Sequence, residues 1–230
     1  MWATPEFADR EEAGRELADA LAHLKASRPL VLALPRGGVP IGYEVARSLG
    51  AELDVLIVRK IGAPGQPEFG IGAIVDGDES ELVLNDYAPS VPGVTAEYIE
   101  DEKRRQLGEI ERRKRAYRGS RPSPDVTNRT VIVVDDGIAS GGTMKVALQA
   151  LRRRKPAHLV LAVPVAPPES IASLAQLCDE TVCHRQPSPF LAVGCHYADF
   201  DQTEYDEVIR LLAAAHWAAS KKPENVQGGG

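Results

Sequence analysis

Two adjacent carboxylates, Asp135 and Asp136, end the apolar run Val131–Val134, and a stretch of small residues follows at once: Gly137, Ile138, Ala139, Ser140, Gly141, Gly142 and Thr143. Successive backbone N–H groups in such a stretch can converge on one concavity. If a helix starts at its end, the unpaired amides of the first turn add partial positive charge. Ser140 and Thr143 bring hydroxyl donors. That chemistry suits a phosphate. The carboxylates would repel a phosphate, but they suit sugar hydroxyls or a cation. A phosphate cradle beside a hydroxyl reader describes a ribose 5-phosphate site. No Gly-Lys-Ser/Thr is present, so this is not a P-loop. The plainer alternative is a helix start with two solvated acids.

These residues need a strand before them and a helix after them, and the pattern supplies both. Thr130 to Val134 reads as a buried strand and Gly142 to Arg154 as the helix that follows. The same alternation runs along the chain. Leu30–Leu34 is a short continuous apolar run that suits a strand buried on both faces, Leu53–Val58 is a second strand of the buried type, and Leu159–Val165 is another strand. Helices are expected over Asp9–Leu24 behind an Asp cap, Val39–Leu49 closed by Gly50, Thr95–Tyr117, Pro168–Leu177 and Thr203–Trp217. Glu180–His184 is a further short strand. Gly72–Val75 and Glu81–Leu84 flank a hairpin turn at Asp76-Gly77-Asp78. The Gly/Pro-rich stretch Ile61–Gly70 is expected to be a mobile loop. The tail from Lys221 is polar, ends in three glycines and is expected to be disordered. The whole reads as one α/β domain over residues 1–218. It has a parallel sheet covered by helices on both faces, a helical insertion at about 76–129 and a small irregular segment at 187–202. In such sheets ligands bind at the carboxyl ends of strands, which is where the acids and the small-residue loop fall.

Composition narrows the function classes. The 230 residues carry a net charge of −6, which argues against nucleic acid or an anionic membrane as partner. No apolar run approaches the ~18 residues of a membrane span. The N-terminus is charged and has no secretory pattern, and three cysteines make no disulfide scaffold, so a cytoplasmic setting is expected. Cys183-His184 and Cys195-His196 match no common zinc spacing and read better as core or pocket residues. Nine Lys/Arg residues between Lys103 and Arg121 are interleaved with acids. A solvated, ion-paired helix explains them, and the sharper alternative is that Arg112, Arg113 or Arg118 reaches an anionic ligand.

The segment 131–144 resembles the signature of the type I phosphoribosyltransferases: four apolar residues, two acids and a small-residue loop ending in Gly-Thr. Other segments follow in the family's order. Leu34-Pro35-Arg36-Gly37-Gly38 resembles the loop that binds the pyrophosphate of 5-phosphoribosyl-1-diphosphate (PRPP). Val58-Arg59-Lys60-Ile61-Gly62 with Pro64-Gly65 resembles the start of the catalytic loop, most closely that of adenine phosphoribosyltransferase, and Glu68-Phe69-Gly70 an element within it. Phe190 to Asp199 is similar to the hood that covers the base. The similarity covers about residues 30–75 and 130–200.

The resemblance implies an Mg²⁺-dependent transferase that moves the phosphoribosyl group of PRPP to a nitrogenous acceptor, most simply a nucleobase. It implies catalytic roles for Asp135, Asp136, Arg59, Lys60 and Glu68. Ala139, Ser140, Gly141, Gly142 and Thr143 would hold the 5-phosphate, and Arg36, Gly37 and Gly38 the pyrophosphate. Phe190 and Val193 would meet the acceptor, and Asp135 and Asp199 the metal. Members are commonly dimers, so a homodimer is implied as well. Ala139 stands where the 6-oxopurine enzymes carry an acid/base Asp, which disfavours hypoxanthine or guanine. A non-catalytic PRPP or nucleotide sensor on the same fold is the alternative from another class.

Overall fold

The computed structural model of the chain describes residues 5–77 and 80–220. Five strands form a parallel sheet in the order β2-β1-β6-β7-β8: β1 Leu30–Ala33, β2 Glu52–Val55, β6 Thr130–Val134, β7 His158–Val165 and β8 Glu180–Arg185. All four β1 residues are buried, as a strand covered on both faces requires. Alternation divides them: Val31 and Ala33 enter one core with Leu17, Ile41, Ile132 and Val208, and Leu30 and Leu32 enter the other with Val131, Val133 and Met144.

Helices α1 (Arg10–Ala20), α2 (Gly38–Leu49) and α6 (Tyr205–Ser220) supply the first core, and α4 (Gly142–Arg153) and α5 (Pro168–Leu174) the second. Asp9 caps α1 by accepting from the Glu12 amide at 2.8 Å, with Glu11 and Glu12 in the first turn. The chain runs from β1 to β2 on one side of β1, then starts again with β6 on its other side. The order therefore switches between β1 and β6, and the loops leaving both strands open at that point. Among the described residues no helix is long and apolar enough to cross a membrane.

A second, antiparallel sheet corrects the expectation of a mobile loop at 61–70. Strands β3 (Val58–Ala63) and β4 (Gln66–Val75) form a hairpin that turns at Pro64-Gly65, and β5 (Glu81–Leu84) pairs with β4. The stretch Leu53–Val58, expected as one strand, breaks at Leu56-Ile57, where the chain leaves the parallel sheet for this one. Asp76 secures the crossing by accepting the Ile57 amide at 2.7 Å. The turn expected at Asp76–Asp78 falls between β4 and β5, where residues 78 and 79 lie outside the described residues. The tail from Lys221, for which the sequence predicts disorder, lies outside them too.

The insertion carries α3, Ala96–Arg118, capped by Thr95. Its arginines and lysines are largely paired along the helix, among them Arg104 with Asp101, Arg112 and Arg113 with Glu109, and Lys114 with Glu111. Of the three arginines in the sharper alternative, Arg113 lines the cleft described below and Arg118 does not. Arg118 is 2% exposed and pins the end of α3 to the sheet through Asp54 (2.9 Å) and Asp76 (2.5 Å).

Candidate active site

The two loops at the switch point touch. A Cβ on Gly37 would lie 2.0 Å from Asp136 Oδ2, and one on Gly38 would lie 2.9 Å from the Val134 carbonyl. Only residues without a side chain allow that approach. The Pro35–Arg36 peptide beside them is cis.

The two acids are not equivalent. Asp136 is enclosed: its Oδ2 accepts from Arg10 Nε at 2.9 Å, and its carbonyl accepts from the Tyr197 hydroxyl at 2.5 Å. Arg10 also donates to the Asp201 carbonyl at 2.7 Å and lies 3.9 Å over the Phe200 ring. Segment 187–202 and α1 thus clasp the second acid together. Asp135 Oδ1 accepts the Asp136 amide at 2.9 Å, and the residue lines a cleft of about 760 Å³. Burial pushes the Asp135 carboxyl well above the usual carboxylate range, and the Asp136 charge adds to it. Asp136 is raised by burial as well, with Arg10 opposing. A pair that resists ionisation this way favours a cation or hydroxyl donors placed against it.

Beyond the acids, Ile138 donates to the Val165 carbonyl at 3.0 Å, and the Ala139 carbonyl is drawn aside by the Ser170 hydroxyl at 2.6 Å. Ala139, Ser140 and Gly142 are exposed. Gly141 holds φ 74° and hands the chain into α4. As at any helix start, the first-turn amides of α4 have no intrahelical carbonyl to bond, which leaves them available as donors at this end of the loop.

The cleft joins the sheet edge to the second sheet and to α3. Leu34, Pro35, Asp135 and Thr143 line it from the sheet edge, Arg59, Lys60 and Glu68 from the hairpin, and Tyr98, Glu102, Arg105, Gln106 and Arg113 from α3. The structure therefore brings Asp135, Thr143, Arg59, Lys60 and Glu68 together. Phe69 turns away and pairs with Tyr87, ring centroids 5.8 Å apart. The guanidinium of Arg36 is directed to α6, 3.9 Å from Glu204 and 5.6 Å from the Tyr205 ring centre.

The other expected residues lie outside the cleft lining. Phe190 stacks on His196 with centroids 5.0 Å apart. Val193 packs on the turn after the acids, where a Cβ on Gly137 would meet it at 2.5 Å. Asp199 is exposed and accepts the Asp201 amide at 3.0 Å. Among the described residues no group of three or more His, Cys, Asp or Glu is arranged to hold a metal. Cys183 donates to the Arg185 carbonyl, and burial pushes its thiol up to about 11.

Sequence reasoning misses the α3 wall. The apolar stripe of this helix reads as Ile99, Leu107, Ile110 and Tyr117. The inward line is Tyr98, Glu102, Gln106 and Ile110, at successive steps of four, so polar residues continue the buried face. That spacing is the available signal.

Comparison with known proteins gives the family. A profile described as "Phosphoribosyl transferase domain" matches residues 6–198. "Putative phosphoribosyl transferase Rv0571c" of Mycobacterium tuberculosis H37Rv is 46% identical over 210 residues, covering 91% of this chain and 47% of that protein. "Putative phosphoribosyl transferase MT0597" of strain CDC 1551 gives the same figures. The chain thus spans about half the length of the curated relatives it matches. The crystal structure of TT1426 from Thermus thermophilus superposes with a TM-score of 0.79 at 44% identity, covering 91% of this chain and 98% of that one. By the extent of the profile match and the identity of these relatives, the chain belongs to the phosphoribosyl transferase family.

Proposed function

We propose that this chain transfers the 5-phosphoribosyl group of PRPP to a nitrogenous acceptor, most simply a nucleobase, with release of pyrophosphate. The observation that carries the reading is one juxtaposition. Asp135, Thr143 at the start of α4, and Arg59 and Lys60 of the hairpin line one cleft at the carboxyl edge of the sheet. In the reaction the bond from C1 of the ribose to pyrophosphate breaks, and its electron pair leaves with the pyrophosphate. A C–N bond forms to the acceptor, which gives up a proton.

The residues divide that work. Ala139 to Thr143 hold the 5-phosphate with backbone amides and two hydroxyls. Asp135, the acid that faces the cleft, accepts from the ribose hydroxyls. Asp136 is held by Arg10 and keeps the turn in place. Gly37 and Gly38 let the pyrophosphate loop lie against the acids, and Arg59 and Lys60 face the charge that grows on the leaving group. Glu68 lies on the same wall and is the candidate to take the acceptor's proton. Phe190 and Val193 lie on the hood side of the acid turn, where an acceptor ring would approach the ribose.

Mg²⁺ fits the donor set. Such an ion needs one or two carboxylates and completes its shell with water and substrate phosphates, and Asp135 offers a carboxyl that burial has made reluctant to ionise alone. When bound it would neutralise pyrophosphate charge. Asp199, the other acid expected to meet the metal, lies outside the cleft lining.

The test is binding of Mg²⁺·PRPP by calorimetry to the parent chain and to the D135N/D136N double variant. Binding by the parent and a loss of at least about tenfold in the variant is the expected result. Equal affinity in both would remove the ribose assignment.

A further inference from the structure

Two buried polar residues on α3 sit where core residues would be expected. Gln106 and Glu102 are 6% and 8% exposed, on the same face as Ile110, which is fully buried. They form a directed chain. Arg59 Nε donates to Gln106 Oε1 at 2.9 Å, and Gln106 Nε2 donates to Glu102 Oε1 at 2.7 Å. Arg105 donates to the same Glu102 oxygen at 2.7 Å. Burial works against the Glu102 carboxylate. The hydrogen bonds from Arg105 and Gln106, and the charges of Arg105 and Arg59, outweigh that burial and hold its pKa below the usual range.

The charges at both ends dictate how the Gln106 amide is turned. A flipped amide would set its NH₂ against a guanidinium and its oxygen against a carboxylate, losing both bonds. Two turns earlier, the Tyr98 hydroxyl donates to the Gly62 carbonyl at 2.7 Å and fastens the same β strand. The hairpin wall is therefore attached to α3 at two points.

An arginine on a strand at the rim of a cleft would otherwise sample many rotamers, and ordering it on a ligand costs that freedom. With Nε engaged, Arg59 keeps both terminal nitrogens for the cleft. We infer that Gln106 is a positioning residue, which holds Arg59 in place for the pyrophosphate end of the substrate and makes α3 of the insertion a working wall of the site. This inference rests on the proposed function, because it takes the anion beside Arg59 to be pyrophosphate.

The experiment is a double-mutant cycle read by calorimetry. The parent chain, Gln106→Met, Arg59→Ala and the double variant are each titrated with magnesium pyrophosphate and, separately, with ribose 5-phosphate. Gln106→Leu repeats the cycle if the methionine variant has a lowered melting temperature. Gln106→Met is expected to weaken pyrophosphate about tenfold in the parent background and less than about twofold once Arg59 is gone. Ribose 5-phosphate, held at Ala139–Thr143, is expected to change less than about twofold throughout. An equal loss in both backgrounds, or an equal loss of both ligands, would mean a structural role and overturn the inference. Undiminished pyrophosphate affinity in Gln106→Met would overturn it while leaving the proposed function standing. If the parent chain binds neither ligand, both fall together.

Discussion

Replacing Arg118 by Met removes the cation that lies between two buried carboxylates. The guanidinium makes five hydrogen bonds: both oxygens of Asp54 at 3.0 and 2.9 Å, Asp76 Oδ2 at 2.5 Å, the Ser123 hydroxyl at 3.1 Å, and the Val55 carbonyl. The side chains of Asp54 and Asp76 are 6% and 1% exposed, so water cannot take over. Methionine fills much of the volume, and the cost is therefore chiefly electrostatic. Breaking a buried ion pair from one side costs about 3–5 kcal/mol. For a chain of this size that lowers the melting temperature by about 6–20 °C. The sign of the pH dependence follows. Burial already raises the Asp54 pKa against the pull of Arg118, and without Arg118 it rises further. A carboxyl whose folded pKa lies above its unfolded value gives stability that is lost as pH rises through the folded value. The R118M deficit should therefore be larger at pH 8 than at pH 5 in urea titrations. D54N and D76N added to R118M should restore most of it. A deficit below about 1 kcal/mol, or one that does not change with pH, would refute the reasoning.

The acid pair gives two further predictions. Because burial raises the Asp135 pKa, ionising that carboxyl costs folding energy at neutral pH. D135N should raise the melting temperature of the ligand-free chain at pH 8. The gain should vanish at pH 4, and differential scanning fluorimetry across pH reads both. Arg10→Ala removes the partner of Asp136, the contact to the Asp201 carbonyl and the packing on Phe200. It should cost about 2–3 kcal/mol and raise amide exchange through residues 197–202 more than in α4. Uniform exchange across both segments would contradict the clasp.

What was legible in the sequence follows from the range of each interaction. The β6–loop–α4 unit is read by local rules: an apolar strand, small residues that allow a tight exit, and a helix start. Residues 131–144 accordingly stand as expected. The β3–β4 hairpin misled because Gly and Pro normally break strands. Here they serve the irregular end of one, with register shifts at Ile61/Gly62 and Gly62/Ala63 and the turn at Gly65. The Arg118 triad leaves no local trace, since its partners are 64 and 42 residues away. The clasp on Asp136 needs α1 and segment 197–201 brought together across the sheet edge. Gln106 and Glu102 were visible as a spacing of four in line with Ile110, but their polarity hid them from a search for apolar stripes.

Turnover tests the account most directly. Pyrophosphate release from Mg²⁺·PRPP is followed while purines, pyrimidines and small amines are supplied one at a time. The account predicts release that depends on one class of acceptor and is lost in D135N. Adenine should be favoured over hypoxanthine and guanine, because Ala139 provides no acid/base group in the phosphate loop. Tight PRPP binding with no release for any acceptor would contradict the transferase and leave a PRPP sensor in its place.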